Sequence, residues 1–273
     1  MDALEQLLRI MDALRDPESG CPWDLQQDFR SIAPHTLEEV HEVIDAIERD
    51  AGDELVAELG DLLFQIVFYA RLGKEQGRFS FEDIAAGIVA KLLRRHPHVF
   101  PDGTLDSAGS KPGVSAGEVA GRWEAIKQEE RAGKKVGAAP SLLDDVPLAL
   151  GALQRAAKLQ RRAAVAGFDW PGAPQVLEKL DEELGELREA MAGGDKTAVQ
   201  EEFGDLLFTL VNLSRHLGLD AETALRAANR KFETRFRKLE QGAAEQGHAV
   251  ADLDLKALEA LWQAVKAGEK PLA

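Results

Sequence analysis

Ten acidic residues define the chemistry this chain can attempt. Glu38, Glu39 and Glu42 are followed, after fifteen residues, by Glu58 and Asp61; Glu182, Glu183 and Glu186 are followed, after the same interval, by Glu202 and Asp205. On a helix, residues three and four apart share a face, so each trio of glutamates lies on one side. A short antiparallel hairpin then sets the second pair of acids opposite the first set. Four or five like charges at that separation repel one another by roughly 1 kcal/mol or more even with solvent screening. A hard divalent cation reverses the sign, and Mg²⁺ takes carboxylate oxygens, water and substrate phosphate oxygens in octahedral array.

The plain alternative is a solvated helix face, and Thr36 with Glu39 also fits a capping box that would only start a helix. The second set argues against both. Glu183 lies inside a segment that starts near Pro174 and has Lys179 upstream, yet the acidic spacing is unchanged. Gly60 and Gly204 each stand directly before the aspartate, where a helical glycine costs roughly 1 kcal/mol relative to alanine, and close helix approach is their simplest use. Lys231 and Arg235 are four apart, so both can meet phosphate oxygens, or else pair with Glu233 or Glu240. Trp262 and Trp123 can stack on a base or pack in a core, and Trp23 and Trp170 near turns are equally open.

Other chemistries are poorly supported. No GxxxxGK[ST] loop is present, which removes the P-loop class. Pro97 between His96 and His98 prevents a helical metal pair. Cys21 precedes proline and has no sequence-adjacent partner for nucleophilic work. Glu38 and His41 show the spacing of di-iron carboxylate bundles, but Gly185 stands at the matching place in the second set. A noncatalytic helical regulator that binds nucleotides or a protein partner is the remaining rival, and the complete acid sets weigh against it.

The elements that must carry these residues form a repeat. The acidic blocks recur at an offset of 144, Lys91 and Arg95 recur as Lys231 and Arg235 at 140, and Trp123 to Lys127 recurs as Trp262 to Lys266 at 139. Order is kept throughout, which places one repeat at 1–135 and the other at 140–273. The Gly-, Ala- and Lys-rich stretch Ala132 to Pro140 suits a linker. Apolar residues step by three and four in Leu37, Val40, Ile44, Ile47, in Leu55, Leu59, Leu62, Ile66, Tyr69, and in Leu180, Leu184, Leu187, Met191, as stripes facing a core. Strands are not needed, so the chain reads as all-α, with one long loop at Pro101 to Glu118.

The chain has 273 residues and a net charge of −15. Its field repels polyanions and argues against nonspecific nucleic-acid binding. A phosphate ligand would need metal ions locally. One cysteine, an amphipathic start without a signal-peptide core and no long apolar run suggest a cytoplasmic protein that does not span a membrane.

EExxE, fifteen residues, then ExxD resembles the signature of the all-α NTP pyrophosphohydrolase superfamily, which includes MazG and the dimeric dUTPases. Cys21-Pro22-Trp23-Asp24, Arg94 to Phe100, Val165 to Trp170, and Ala228 to Phe236 are similar to two-domain MazG over essentially the whole chain. The resemblance implies two tandem domains, each pairing with a second copy in a homodimer to complete four-helix bundles around metal sites. It implies that Glu183, Glu186, Glu202 and Asp205 bind Mg²⁺, with Glu39, Glu42, Glu58 and Asp61 as first-repeat counterparts. It also sets Lys179, Lys231, Arg235 and Trp262 around the nucleotide, with Lys91 and Arg95 as counterparts in the first repeat. The C-terminal repeat is implied as the main seat of hydrolysis. One departure is that His35 stands where the second repeat has Lys179, which weakens phosphate binding there. The expected reaction is attack of a metal-activated water on the α-phosphorus of a nucleoside triphosphate, with pyrophosphate leaving. Glu182, the acid least needed for ligation, is the candidate base.

Overall fold

Residues that recur at an offset of 144 fold into the same elements. The computed structural model describes residues 2–109, 117, 119, 126 and 141–268, and these contain ten α-helices and no strand. The chain divides into two compact units, Met1–Lys134 and Lys135–Ala273. The expected linker at 132–140 and the block containing Trp123 lie outside the described residues, except for position 126. So does the second half of the expected loop, whose first part holds a short 3₁₀ turn at Leu105–Ser107.

In the first unit, α1 (Ala3–Leu14), α2 (Pro22–Gln26), α3 (Phe29–Glu48), α4 (Gly52–Glu75) and α5 (Phe81–Arg95) follow in order. Helices α3 and α4 form the hairpin that carries the acids, and α1 and α5 pack on α4. Met11, Ile32, Val67, Phe68 and Leu72 are fully buried at the centre. Arg15, 6% exposed, closes the edge of this core by donating from Nε and Nη2 to the two carboxylate oxygens of Glu75 at 2.8 and 2.7 Å. That bidentate pair ties the end of α1 to the end of α4.

The start of α3 removes the capping-box alternative at Thr36. The helix begins at Phe29, capped by Asp28, whose carboxylate accepts from the Ser31 amide at 2.8 Å while Ser31 Oγ accepts from the Asp28 amide at 2.8 Å. Thr36 is mid-helix and its hydroxyl meets Tyr69 at 2.8 Å. Glu39 is therefore free of any helix-starting duty.

The second unit contains α6 (Ala152–Val165), α7 (Ala173–Gly193), α8 (Lys196–His216), α9 (Ala221–Glu245) and α10 (Leu255–Gly268). Here α7 and α8 form the acid-bearing hairpin, α6 packs on α8 and α9, and α10 packs on α9. Val176 and Val211, 144 residues after Ile32 and Val67, are buried like them. Both hairpin turns need a left-handed residue at one matching place, Asp50 at φ 56 in the first and Gly194 at φ 75 in the second. Glycine takes that conformation at no steric cost, whereas aspartate is one of the few other residues that tolerate it.

Two expectations fail. A Cβ built on Gly60 or Gly204 meets no described atom within 4 Å, because both face outward, so close helix approach within the chain is not their role. The apolar stripes are also wider than the core they were expected to face. Leu37, Ile47, Leu59, Ile66 and Met191 remain exposed, since no described helix of their own unit covers that side of the hairpin.

Candidate functional site

Helix periodicity and the hairpin turn together decide which acids meet. In the second unit, carboxylate oxygens of Glu183, Glu186 and Glu202 all come within 4.8 Å of one another. In the first unit Glu39, Glu58 and Asp61 do so. Asp205 and Glu42 stand beside these groups. Partial desolvation pushes the Glu202 carboxyl above its ordinary range, and the negative charges of Glu186, Asp205 and Glu183 add to the effect. Glu39 and Glu58 are pushed up in the same way, first by desolvation, then by Asp61 and Glu42 on Glu39, and by Glu42 and Asp61 on Glu58. Among the described residues no cation pairs with Glu202, Glu39 or Glu58, and hard oxygen donors so disposed suit a divalent cation such as Mg²⁺.

The two units differ in what surrounds the acids. Lys179 lies one turn before Glu183 on α7, and its ammonium reaches Glu182 at 2.8 Å and Glu183 at 3.0 Å. Those two carboxylates hold it protonated, above the ordinary lysine value. Glu183 is buried while Glu182 is mostly exposed, and Glu182 is not one of the three converging acids. At the matching place in the first unit, His35 stands 3.7 Å from Glu38 and edge-on to Trp23.

A cavity of about 590 Å³ opens beside the acids of the second unit. Lys179, Glu183 and Asp205 line it, as do the aromatic rings of Phe168, Trp170 and Phe208. Its wall is braced by Asp169, which accepts from Arg215 Nη1 at 2.9 Å, from Arg215 Nη2, and from His216 Nε2 at 3.2 Å. Hydrogen bonding to Arg215 holds the Asp169 carboxyl below its ordinary range. Arg215 also donates to Asn212 Oδ1 at 3.0 Å. Asn212 lines the cavity, whereas Phe68, 144 residues earlier, is 0% exposed in the core of the first unit.

Sequence reasoning did not assign Phe168, Asp169, Gln160, Asn212 or Arg215 to the site, and left Trp170 open. Val165 to Trp170 carried the family resemblance without a role. The remaining expected residues stand on helices other than the acid-bearing hairpins. Lys231 is exposed and Arg235 half-buried on α9, and Glu233 pairs with Arg237. Trp262 on α10 packs its ring 5.5 Å from that of Phe232. No hydrogen bond or ion pair among the described residues joins Lys231 or Trp262 to Glu183, Glu186 or Glu202. Lys91 and Arg95 lie on α5 of the first unit.

Comparison with known proteins gives three findings. The chain matches the MazG nucleotide pyrophosphohydrolase domain over residues 27–100 and 173–239, one stretch around each acidic hairpin. It is 51% identical to the nucleoside triphosphate pyrophosphohydrolase of Escherichia coli (strain K12), across 98% of this chain and 99% of that protein. It is 41% identical to the nucleoside triphosphate pyrophosphohydrolase/pyrophosphatase MazG of Thermotoga maritima, across 97% of this chain and 96% of that one.

Proposed function

Because the chain belongs to the MazG nucleotide pyrophosphohydrolase family, we propose that it hydrolyses nucleoside triphosphates to the monophosphate and pyrophosphate, chiefly in its second unit. The observation that carries this reading is the junction of three converging carboxylates, a lysine and an aromatic-lined cavity. No matching lysine exists in the first unit, and Phe68 takes the place of the cavity-lining Asn212.

Glu183, Glu186, Glu202 and Asp205 are the residues that would hold Mg²⁺, with Glu39, Glu42, Glu58 and Asp61 as a second set. The bound cation would supply a Lewis acid for the phosphate oxygens and a water of lowered pKa. The protein's own groups do the rest. Lys179 offers a positive charge to the triphosphate, and Lys231 and Arg235 are further candidates for phosphate oxygens. Trp170 and Phe208 offer ring faces to a base, a part for which family likeness also nominates Trp262. Glu182 takes a proton from the attacking water as its oxygen bonds to the α-phosphorus and the bond to the bridging oxygen breaks. Products are then the monophosphate and pyrophosphate.

We place the working form as a homodimer in the cytoplasm. Phe203, Leu207 and Leu210 on α8, and Leu177 and Met191 on α7, are all exposed in the single chain. An apolar face of that kind on the acid-bearing hairpin suits a second copy of the same chain. No described helix is long and apolar enough to cross a membrane.

The test is incubation with each nucleoside triphosphate and Mg²⁺, followed by separate assays for pyrophosphate and orthophosphate. Pyrophosphate in step with monophosphate is expected. Orthophosphate and diphosphate would overturn the reading in favour of an ordinary phosphatase, and no product would favour a nucleotide-binding regulator.

A further inference from the structure

The wall of the cavity away from its charged residues contains an amide whose acceptor is idle. Gln160 on α6 is 6% exposed and lines the cavity. Its Nε2 donates to the main-chain oxygen of Phe208 at 2.8 Å. That bond fixes the amide's orientation, because the reverse setting would press Oε1 against a carbonyl oxygen, two acceptors with no proton between them. Oε1 is thereby left buried and has no hydrogen-bond partner among the described residues. Leaving such an atom unpaired costs the fold free energy, so its presence beside a cavity points to a ligand.

Asn212 supplies the complement. Its Oδ1 accepts from Arg215 at 3.0 Å, which leaves the N–H groups of its amide as the portion available to a ligand. Arg215 is itself held by Asp169, so Asn212 is positioned by two residues behind it. Both residues line the cavity, so its wall holds one amide with an unpartnered acceptor and one whose N–H groups are unused among the described residues.

We infer that Gln160 Oε1 and Asn212 Nδ2 recognise the nucleobase through an adjacent acceptor and N–H on its edge. The inference rests on the proposed nucleotide chemistry of this cavity and adds to it the part of the substrate that is read. Every natural base offers such a pair: N1 and N6–H of adenine, N3 and N4–H of cytosine, O6 and N1–H of guanine, and a carbonyl with N3–H in uracil and thymine. The device admits all of them. It rejects a base whose N–H is missing or methylated, because the Gln160 acceptor then stays unpaired in the complex. Sites built to bond a substrate N–H or O–H discriminate strongly against analogues that lack it.

The test compares binding of α,β-methylene ATP with that of the α,β-methylene triphosphate of purine riboside, which lacks the 6-amino group. The α,β-methylene bridge removes turnover from the measurement. Wild-type protein is expected to bind the adenine analogue about tenfold more tightly. Gln160→Leu should bind both equally, near the weaker value. Equal binding of both analogues by the wild type, or of neither, overturns the inference, as does an unchanged ratio in Gln160→Leu. If that variant does not fold, the wild-type ratio decides, together with the matching pair of uridine and 3-methyluridine analogues. Pyrophosphate release without the binding preference sinks this inference alone. The preference without pyrophosphate release sinks only the proposed hydrolysis.

Discussion

Asn212 lines an open cavity at the position where, 144 residues earlier, Phe68 is sealed in a core. The flanking positions match closely, since Val211 and Val67 are both 1% exposed and Arg215 corresponds to Arg71. At this one position the second unit borders a cavity, whereas the first has filled the space with apolar atoms. The arginines follow suit. Arg215 braces the cavity through Asp169, whereas Arg71 pairs with Asp12 and Glu75 to close the core.

Asn212→Phe is expected to convert the second unit to the filled state. KM for every nucleoside triphosphate should rise about tenfold or more as the base loses its place, while the melting temperature holds or rises because a void is filled. Steady-state kinetics and thermal melts check both. Unchanged KM would show that the base binds elsewhere.

Glu186→Ala should lower kcat by about a hundredfold or more, since it removes one of three converging carboxylates, and helicity should be retained. Glu42→Ala, its counterpart, should leave most of the activity. Circular dichroism and pyrophosphate release separate the effects, and the reverse pattern would move the main site to the first unit.

Lys179→Met leaves the buried Glu183 carboxylate without its partner at 3.0 Å. Breaking a buried pair on one side costs about 3–5 kcal/mol, and the partial exposure of Lys179 places this pair at the lower end or below. The variant should melt earlier than wild type without metal and recover much of the difference in Mg²⁺. Melts with and without chelator test this, and a loss that Mg²⁺ does not reduce would count against a cation at these acids.

The Asp169 carboxyl is lowered in the folded state, first by its hydrogen bonds to Arg215. Its contribution to stability is therefore present above the ordinary value of 3.8 and is lost as pH falls through the still lower folded value. Asp169→Asn should be less stable than wild type at neutral pH, and the gap should narrow under acid. Denaturant midpoints measured across that range give the answer, and a gap independent of pH would show that the ionised pair adds nothing.

The helices and the pairing of acids were legible because they depend on spacing, which a sequence displays directly. Glu183 and Glu202 meet because their helices are amphipathic and joined by a short turn. Burial is a different matter. Asp28 and Ser31 hold the capping box that starts α3, a signal the reading of Thr36 passed over, and Pro34 lies inside the helix. Gln160 and Asn212 are common residue types whose meaning comes only from what the fold leaves beside them. Leu59, Ile66 and Met191 had the periodicity of core residues, and periodicity records the width of an apolar stripe rather than what covers it.

Asp50 and Gly194 have an effect beyond their turns. Each turn lies between acids 19 positions apart, Glu39 and Glu58 in one hairpin and Glu183 and Glu202 in the other. One added residue would have to be absorbed as a slide of about 1.5 Å along the second helix, or a rotation of about 100° around it. Either would part the oxygens that now converge. A stretch that touches no substrate is thus the ruler of the reaction, and a change of length there should be harsher than most changes of composition.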